Sequence, residues 1–305
     1  MRVLVLGAGA VGAWYGARLI ESGAEVDFLV RPARAANLAR NGLRIQTSTE
    51  VRRFDVNTHE CLPADYSTDL VILACKSYHL DSALDAIVPA MANGACLLPL
   101  LNGLRHMDVL DRQFGADNVL GGVCHISVTL EADGSIRQIG NTERLSFGAR
   151  PDQFETPHAI AEGLLGMRGE IIQSPDIIAA MWNKFTMLSA LAGITCLMRA
   201  SIGEIVAVAE GADLARWMYL ECAEVARRSG FAPSEEEVGQ ALRMLTAEHS
   251  PLKASMLRDV ERGHRTEVEH VLGDMLARAH TLGVDAPLLA AACAQVRVHE
   301  ARLSG

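Results

Sequence analysis

One lysine stands alone in the most apolar stretch of the chain. Between Asp176 and Arg199 the run IIAAMWNKFTMLSALAGITCLM carries a single charge, Lys184. Lysine is almost never fully buried without a partner, and desolvation moves an ammonium toward pKa values useful for proton transfer. A group held this way can protonate an oxygen on which negative charge develops. Three more polar side chains follow in otherwise plausible helices: Ser255, Asp259 and Glu267. Ser255 and Asp259 are four apart and share a helix face. Glu267 falls at a helix start, where favourable interaction with the macrodipole is its plain alternative role.

The other half of such a reaction is visible at the N-terminus. GAGAVG, comprising Gly7, Ala8, Gly9, Ala10, Val11 and Gly12, follows an apolar strand and opens a helix, the context that a dinucleotide fingerprint requires. Gly7 permits the tight turn, Gly9 lets a pyrophosphate approach the backbone, and Gly12 lets helix pack on strand. The second strand ends in FLVR. Arg31 therefore stands where an NAD-binding chain presents Asp or Glu to the ribose, and a cation there fits the 2′-phosphate of NADP, with Arg34 able to assist. Asp27 and Glu25 lie too early for the acidic role. Lys76 and Asn102 end two later apolar runs, at the crevice where such sheets bind ligands. For Asn102-Gly103 plain turn chemistry is an equal alternative, and Lys76 alone could be a solvated strand end.

These residues need a frame. The first half alternates strand and helix: strands at 3–6, 25–30, 70–74 and 96–101, helices at 11–22, 80–91 and 104–114, and a two-stranded excursion at 43–56. This order implies a parallel, doubly wound sheet. From 119 onward the pattern becomes GGVCHISVTL, SIRQIG and RLSFGA, with Asp133-Gly134 as a hairpin turn, then a helix near 157–167 and a strand at 170–172. Everything afterwards is helical. Val268, Val271, Leu272, Met275, Leu276, Ala279 and Leu282 fall on one face, most economically a core stripe. Ser201 with Glu204 reads as a capping box, and Ser250-Pro251 as another helix start. The fold class is α/β: an N-terminal Rossmann-type dinucleotide-binding domain, 1–173, followed by an all-α domain, 174–305, for substrate and catalysis.

Composition narrows the function classes. Half of the 305 residues are hydrophobic and 21% are charged, a globular balance without a disorder signature. A formal charge of -9 argues against a nucleic-acid partner, which needs a basic stripe. Seven cysteines without any C-x-x-C pair read as reduced thiols in a cytosolic protein, and no metal site is expected. The Lys184 run is long enough to span a bilayer, but a mid-span lysine costs on the order of 3 kcal/mol there. A core helix is the cheaper reading. No membrane partner and a cytoplasmic location are expected.

Taken in order, GAGAVG, FLVR at Arg31, ACKS around Lys76, LNG around Asn102, MWNKF around Lys184, ASMLRD from 254 to 259 and RTEVE around Glu267 resemble the ketopantoate reductase (2-dehydropantoate 2-reductase) family over nearly the full length. The resemblance implies an active site in a cleft between the two domains. There NADPH passes hydride to the keto carbon of a small-molecule α-keto acid, ketopantoate in the family, giving pantoate for pantothenate biosynthesis. It also implies that Lys184 is the general acid and that Glu267 holds the substrate hydroxyl. Ser255 would hold the carboxylate, Asn102 would lie near the nicotinamide and the lysine, and Asp259 would support the site. The assembly is left open, a homodimer being one option. In better-known members asparagines stand four and eight residues after the lysine; here they are Leu188 and Ala192. Arg105 and His106 follow Asn102-Gly103-Leu104 in place of a glycine-rich piece. Two alternatives therefore stay open: the same chemistry on a less polar 2-keto acid, and an NADP-binding sensor without turnover.

Overall fold

The structure, a computed structural model, describes residues 1–151 and 155–303. By its own contacts the chain divides into two compact units, Met1–Leu101 with His106–Ala180, and Asn102–Arg105 with Met181–Gly305. The division falls inside the helix Ile177–Met198, beyond Gln173, and the short piece Asn102–Arg105 goes with the helical unit.

The first unit contains strands β1 (Arg2–Leu6), β2 (Glu25–Leu29), β3 (Leu43–Gln46), β4 (Val51–Phe54), β5 (Asn57–His59), β6 (Leu70–Leu73), β7 (Cys96–Pro99), β8 (Gly121–Leu130), β9 (Ile136–Gly148) and β10 (Glu170–Gln173). Its helices are α1 (Ala10–Glu21), α2 (Pro32–Asn41), α3 (Leu80–Ala92), α4 (Arg105–Phe114) and α5 (His158–Leu165). The order β5-β2-β1-β6-β7 makes a wholly parallel sheet. Strands covered on both faces must be apolar throughout, and LVIL of β6 is buried at every position. The strand order reverses between β1 and β6, so the ligand crevice of such a sheet lies at their carboxyl ends.

The two-stranded excursion is present as the antiparallel pair β3–β4, Leu43 opposite Phe54. It joins a second sheet, β10-β9-β3-β4, with β8 paired to β9. SIRQIG and RLSFGA, read as two strands, are one. The middle of β9 is largely exposed, so its polar residues break the apolar pattern without breaking the ladder to β8, which absorbs the mismatch in an irregularity between Ile126 and Val128.

Helix α1 packs on β1 and β2 and also on β3, β8 and β9. It is therefore buried from Gly12 to Leu19, and its Trp14 and Tyr15 share one core with Leu145 and Phe147. This position encloses a charge. Arg18 donates from Nε to Glu143 at 2.7 Å and from Nη1 to Glu21 at 2.9 Å, and lies 4.6 Å over the Trp14 ring.

The second unit contains α6 (Ile177–Met198, entering the unit at Met181), α7 (Ile202–Val206), α8 (Gly211–Arg228), α9 (Glu235–Leu245), α10 (Ser255–Glu261), α11 (Asp274–Thr281) and α12 (Pro287–Leu303). Among the described residues α6 alone is long and apolar enough to cross a membrane, yet 56% of its most apolar window is buried within the protein, as in a core helix. It ends at Arg199, which adopts a left-handed φ of 52°.

The Ser201–Glu204 capping box forms on α7, and Ser234 with Glu237 makes a second on α9. The expected helix start at Ser250-Pro251 is displaced. The amides of Ile202 and Gly203 donate to the carbonyls of Leu252 and Ser250, holding that segment extended, and the helix begins at Ser255. The stripe from Val268 opens with a π-turn, Glu269–Gly273, before α11. Such turns recur at functional sites.

Candidate active site

The glycine loop sits at the sheet's switch point. Gly7 has φ 93°, a conformation open to glycine, and a side chain there would crowd the Ala74 carbonyl after β6 at 3.2 Å. A Cβ on Gly12 would run into the Gly7 carbonyl oxygen and reach Val5 at 3.1 Å, whereas one on Gly9 would meet nothing. The loop is thus closed against the strands and open toward a ligand. Gly9 caps α1 without any side-chain bond, and the first amides of a helix lack intrahelical acceptors. They offer N–H groups and positive potential to an anion. These residues fit a dinucleotide pyrophosphate. Gly12→Ala is expected to cost about 1–3 kcal/mol of stability, the usual cost of overpacking, read as a lower thermal midpoint, and to weaken dinucleotide binding in a titration.

Arg31, at the end of β2, is exposed, and its Nη1 lies 3.3 Å from Nε2 of His79. Lys76 is also exposed and caps the short 3-10 turn Ser77–His79 that contains this histidine. Gly7 to Gly12, Arg31 and Lys76 therefore gather at the carboxyl ends of β1, β2 and β6. Arg34 follows on α2. It donates from Nε to the Ala8 carbonyl at 2.9 Å and from Nη1 to Asn37 and the Gly134 carbonyl, so it braces the glycine loop from behind.

The helical unit has its own pocket, of about 290 Å³ counting its open mouth. Its polar lining is Asn102, Ser255, Asp259 and Glu267, all four of which the sequence singled out. Leu188 and Ala192 of α6 line it too, with Ala254, Met256 and Val271. Lys184 is half-buried, one helical turn before Leu188 on the same face of α6. Among the residues named from the sequence, those for substrate and those for dinucleotide thus fall in separate units, with Asn102 in the helical one.

Local packing explains how each side chain is held. Gly103 has φ 77°, and a Cβ on it would press the His270 carbonyl at 2.6 Å. Asn102-Gly103 is therefore a close approach to the π-turn as well as a turn. Burial pushes the His270 imidazole below its ordinary pKa, against Glu267 and Asp274, which raise it. The Glu267 carbonyl accepts from the amides of His270 and Val271, placing it at the mouth of the π-turn. On either side, the Thr266 amide donates to Glu300 at 2.6 Å and Arg297 pairs with both Glu269 oxygens. Near Lys184, Asn183 donates to Glu237 at 2.7 Å. Trp182 stacks on Phe231 at 5.4 Å beneath the Arg278 guanidinium. The sequence reading gave Met256 no role, placed Val271 in a core stripe and missed these braces. The first two adjoin named residues in ASM and EVEHV, and Ser234-x-x-Glu237 is a legible capping box.

A family model described as ketopantoate reductase PanE/ApbA matches residues 3–152, and its C-terminal counterpart matches residues 176–300. The chain belongs to the ketopantoate reductase family. It is an oxidoreductase by that membership. A Bacillus subtilis (strain 168) member described as uncharacterized oxidoreductase YkpB is 34% identical over 304 residues, 99% of each chain. A 2-dehydropantoate 2-reductase of Archaeoglobus fulgidus is 28% identical, over 93% of this chain and 92% of that one. In fold, this ketopantoate reductase family member is similar to a D-mandelate dehydrogenase solved with NADH. The TM-score is 0.84 at 21% identity, covering 99% of this chain and 100% of that one.

Proposed function

We propose that the protein is an NADPH-dependent reductase that converts a 2-keto acid to a 2-hydroxy acid, with ketopantoate, the substrate in the family's name, as the reference compound. The observation that carries this reading is the convergence of Asn102, Ser255, Asp259 and Glu267 on one small pocket, one turn of α6 from Lys184. Bound at the glycine loop, the dinucleotide supplies the hydride. Lys184 gives a proton from Nζ to the keto oxygen as it becomes an alkoxide, and regains one from water. A fixed cation stabilises that oxygen most in the transition state. Ser255 and Asn102 hold the carboxylate and orient the keto group, Glu267 receives the new hydroxyl, and Asp259 supports them. NADPH oxidation with ketopantoate beside other 2-keto acids tests this. Saturable NADPH binding without oxidation across the panel would make the protein a sensor.

Arg31 supports NADPH over NADH, since it is exposed at the end of β2 where a 2′-phosphate would lie. Losing one charge-assisted hydrogen bond costs about 1.5–3 kcal/mol. Arg31→Ala is therefore expected to raise the KM for NADPH about 10- to 100-fold and leave that for NADH unchanged. Equal use of both cofactors by the unaltered enzyme would refute the NADPH assignment.

A further inference from the structure

We infer that the α6 wall of the pocket selects 2-keto acids whose tail is a short aliphatic group without hydroxyl or charge, Leu188 and Ala192 being the specificity-determining residues. The inference rests on the reductase reading above and deepens it. The four polar lining groups are committed under that reading to the keto-carboxylate end: Ser255 and Asn102 to the carboxylate, Glu267 to the new hydroxyl, and Asp259 to their support. The remaining lining is Leu188, Ala192, Ala254, Met256 and Val271, with no hydrogen-bonding side chain among them.

Direction along α6 fixes which part of the substrate meets this wall. Leu188 and Ala192 are four and eight residues after Lys184, about 6 and 12 Å along the helix axis. A keto oxygen within reach of Lys184 therefore leaves the tail to run past Leu188 toward Ala192. Ala192 is 1% exposed and the whole pocket holds only about 290 Å³ counting its open mouth, so the tail must be short. Met256, unbranched and polarizable, also lines the pocket and adapts to branched or straight tails. Charge excludes a second carboxylate on the tail. Along Leu188, Ala192, Ala254, Met256 and Val271 it would find neither a cation nor a hydrogen-bonding side chain.

The hydroxyl is decided by magnitude. A site built to hydrogen-bond a substrate hydroxyl rejects the analogue lacking it by about 10⁴–10⁵-fold, while an apolar site rejects the added hydroxyl by only about 10²-fold. Ketopantoate and 3,3-dimethyl-2-oxobutanoate differ by that one hydroxyl, so their kcat/KM ratio reads the wall directly. The unaltered enzyme is expected to use the compound without the hydroxyl at least as well as ketopantoate, and up to about 100-fold better. A clear preference for ketopantoate would overturn the proposal. Leu188→Asn and Ala192→Asn are each expected to shift the ratio at least tenfold toward ketopantoate. An unchanged ratio in both folded variants would remove these residues from the assignment. Absence of NADPH and NADH oxidation with every 2-keto acid would instead overturn the reductase reading, and this inference with it.

Discussion

Lys184→Ala is expected to lower kcat by about 10²–10⁴-fold, the usual contribution of a positioned general acid, while NADPH affinity stays near that of the unaltered protein. Lys184 lies in the helical unit and the glycine loop in the other, so dinucleotide binding serves as an internal control on folding. Lys184→Arg separates the two services that an ammonium can perform. Arginine keeps the positive charge but does not give up its proton in proteins. If proton donation dominates, the arginine variant remains as slow as alanine; if the charge alone matters, it recovers much of the rate. A Lys184→Ala enzyme within tenfold of normal turnover would remove the lysine from the chemistry.

The largest expected loss of stability lies in the other unit. Arg18 is 5% exposed, between Glu143 and Glu21. Burial disfavours its charge, but hydrogen bonds to Glu143 and Glu21 outweigh that and hold the guanidinium above its ordinary pKa. Removing one partner of a buried pair strands the other, at about 3–5 kcal/mol. Arg18→Ala is therefore expected to lower the thermal midpoint by roughly 10 °C, and Glu143→Ala by a similar amount. The Trp14 indole also donates to Glu143 at 2.8 Å, so that variant leaves a second buried donor unmatched. Arg18→Met with Glu143→Leu is expected to recover part of the loss, because apolar groups of similar volume can replace a buried pair. Melting within 2 °C of normal for both single variants would show that the network adds little.

These two predictions differ in how far the chain itself revealed them. Lys184 was legible because a lone charge in an apolar run is a local signal, as was GAGAVG between a strand and a helix. The Arg18 network was not. Arg18 reads as an ordinary helix residue, and its partner Glu143 lies in a polar stretch between the segments SIRQIG and RLSFGA. Their meeting depends on a second sheet packing onto α1, which no local pattern encodes. The same limit explains Arg34. Its bonds to the Ala8 and Gly134 carbonyls join distant parts of the chain. Asn102-Gly103 was ambiguous for a related reason, since the need for glycine there comes from His270. Element types survived this limit better than boundaries. The helix expected from Ser250-Pro251 starts at Ser255 because backbone bonds to Ile202 and Gly203 outcompete the local start signal.

The most direct measurement is product stoichiometry: incubate the protein with NADPH and a 2-keto acid, and quantify oxidised cofactor and 2-hydroxy acid together. One 2-hydroxy acid formed per NADPH consumed, with formation lost in Lys184→Ala, is the result expected. NADPH that binds but is not consumed with ketopantoate or any aliphatic 2-keto acid, or is consumed without a hydroxy acid appearing, would contradict the account.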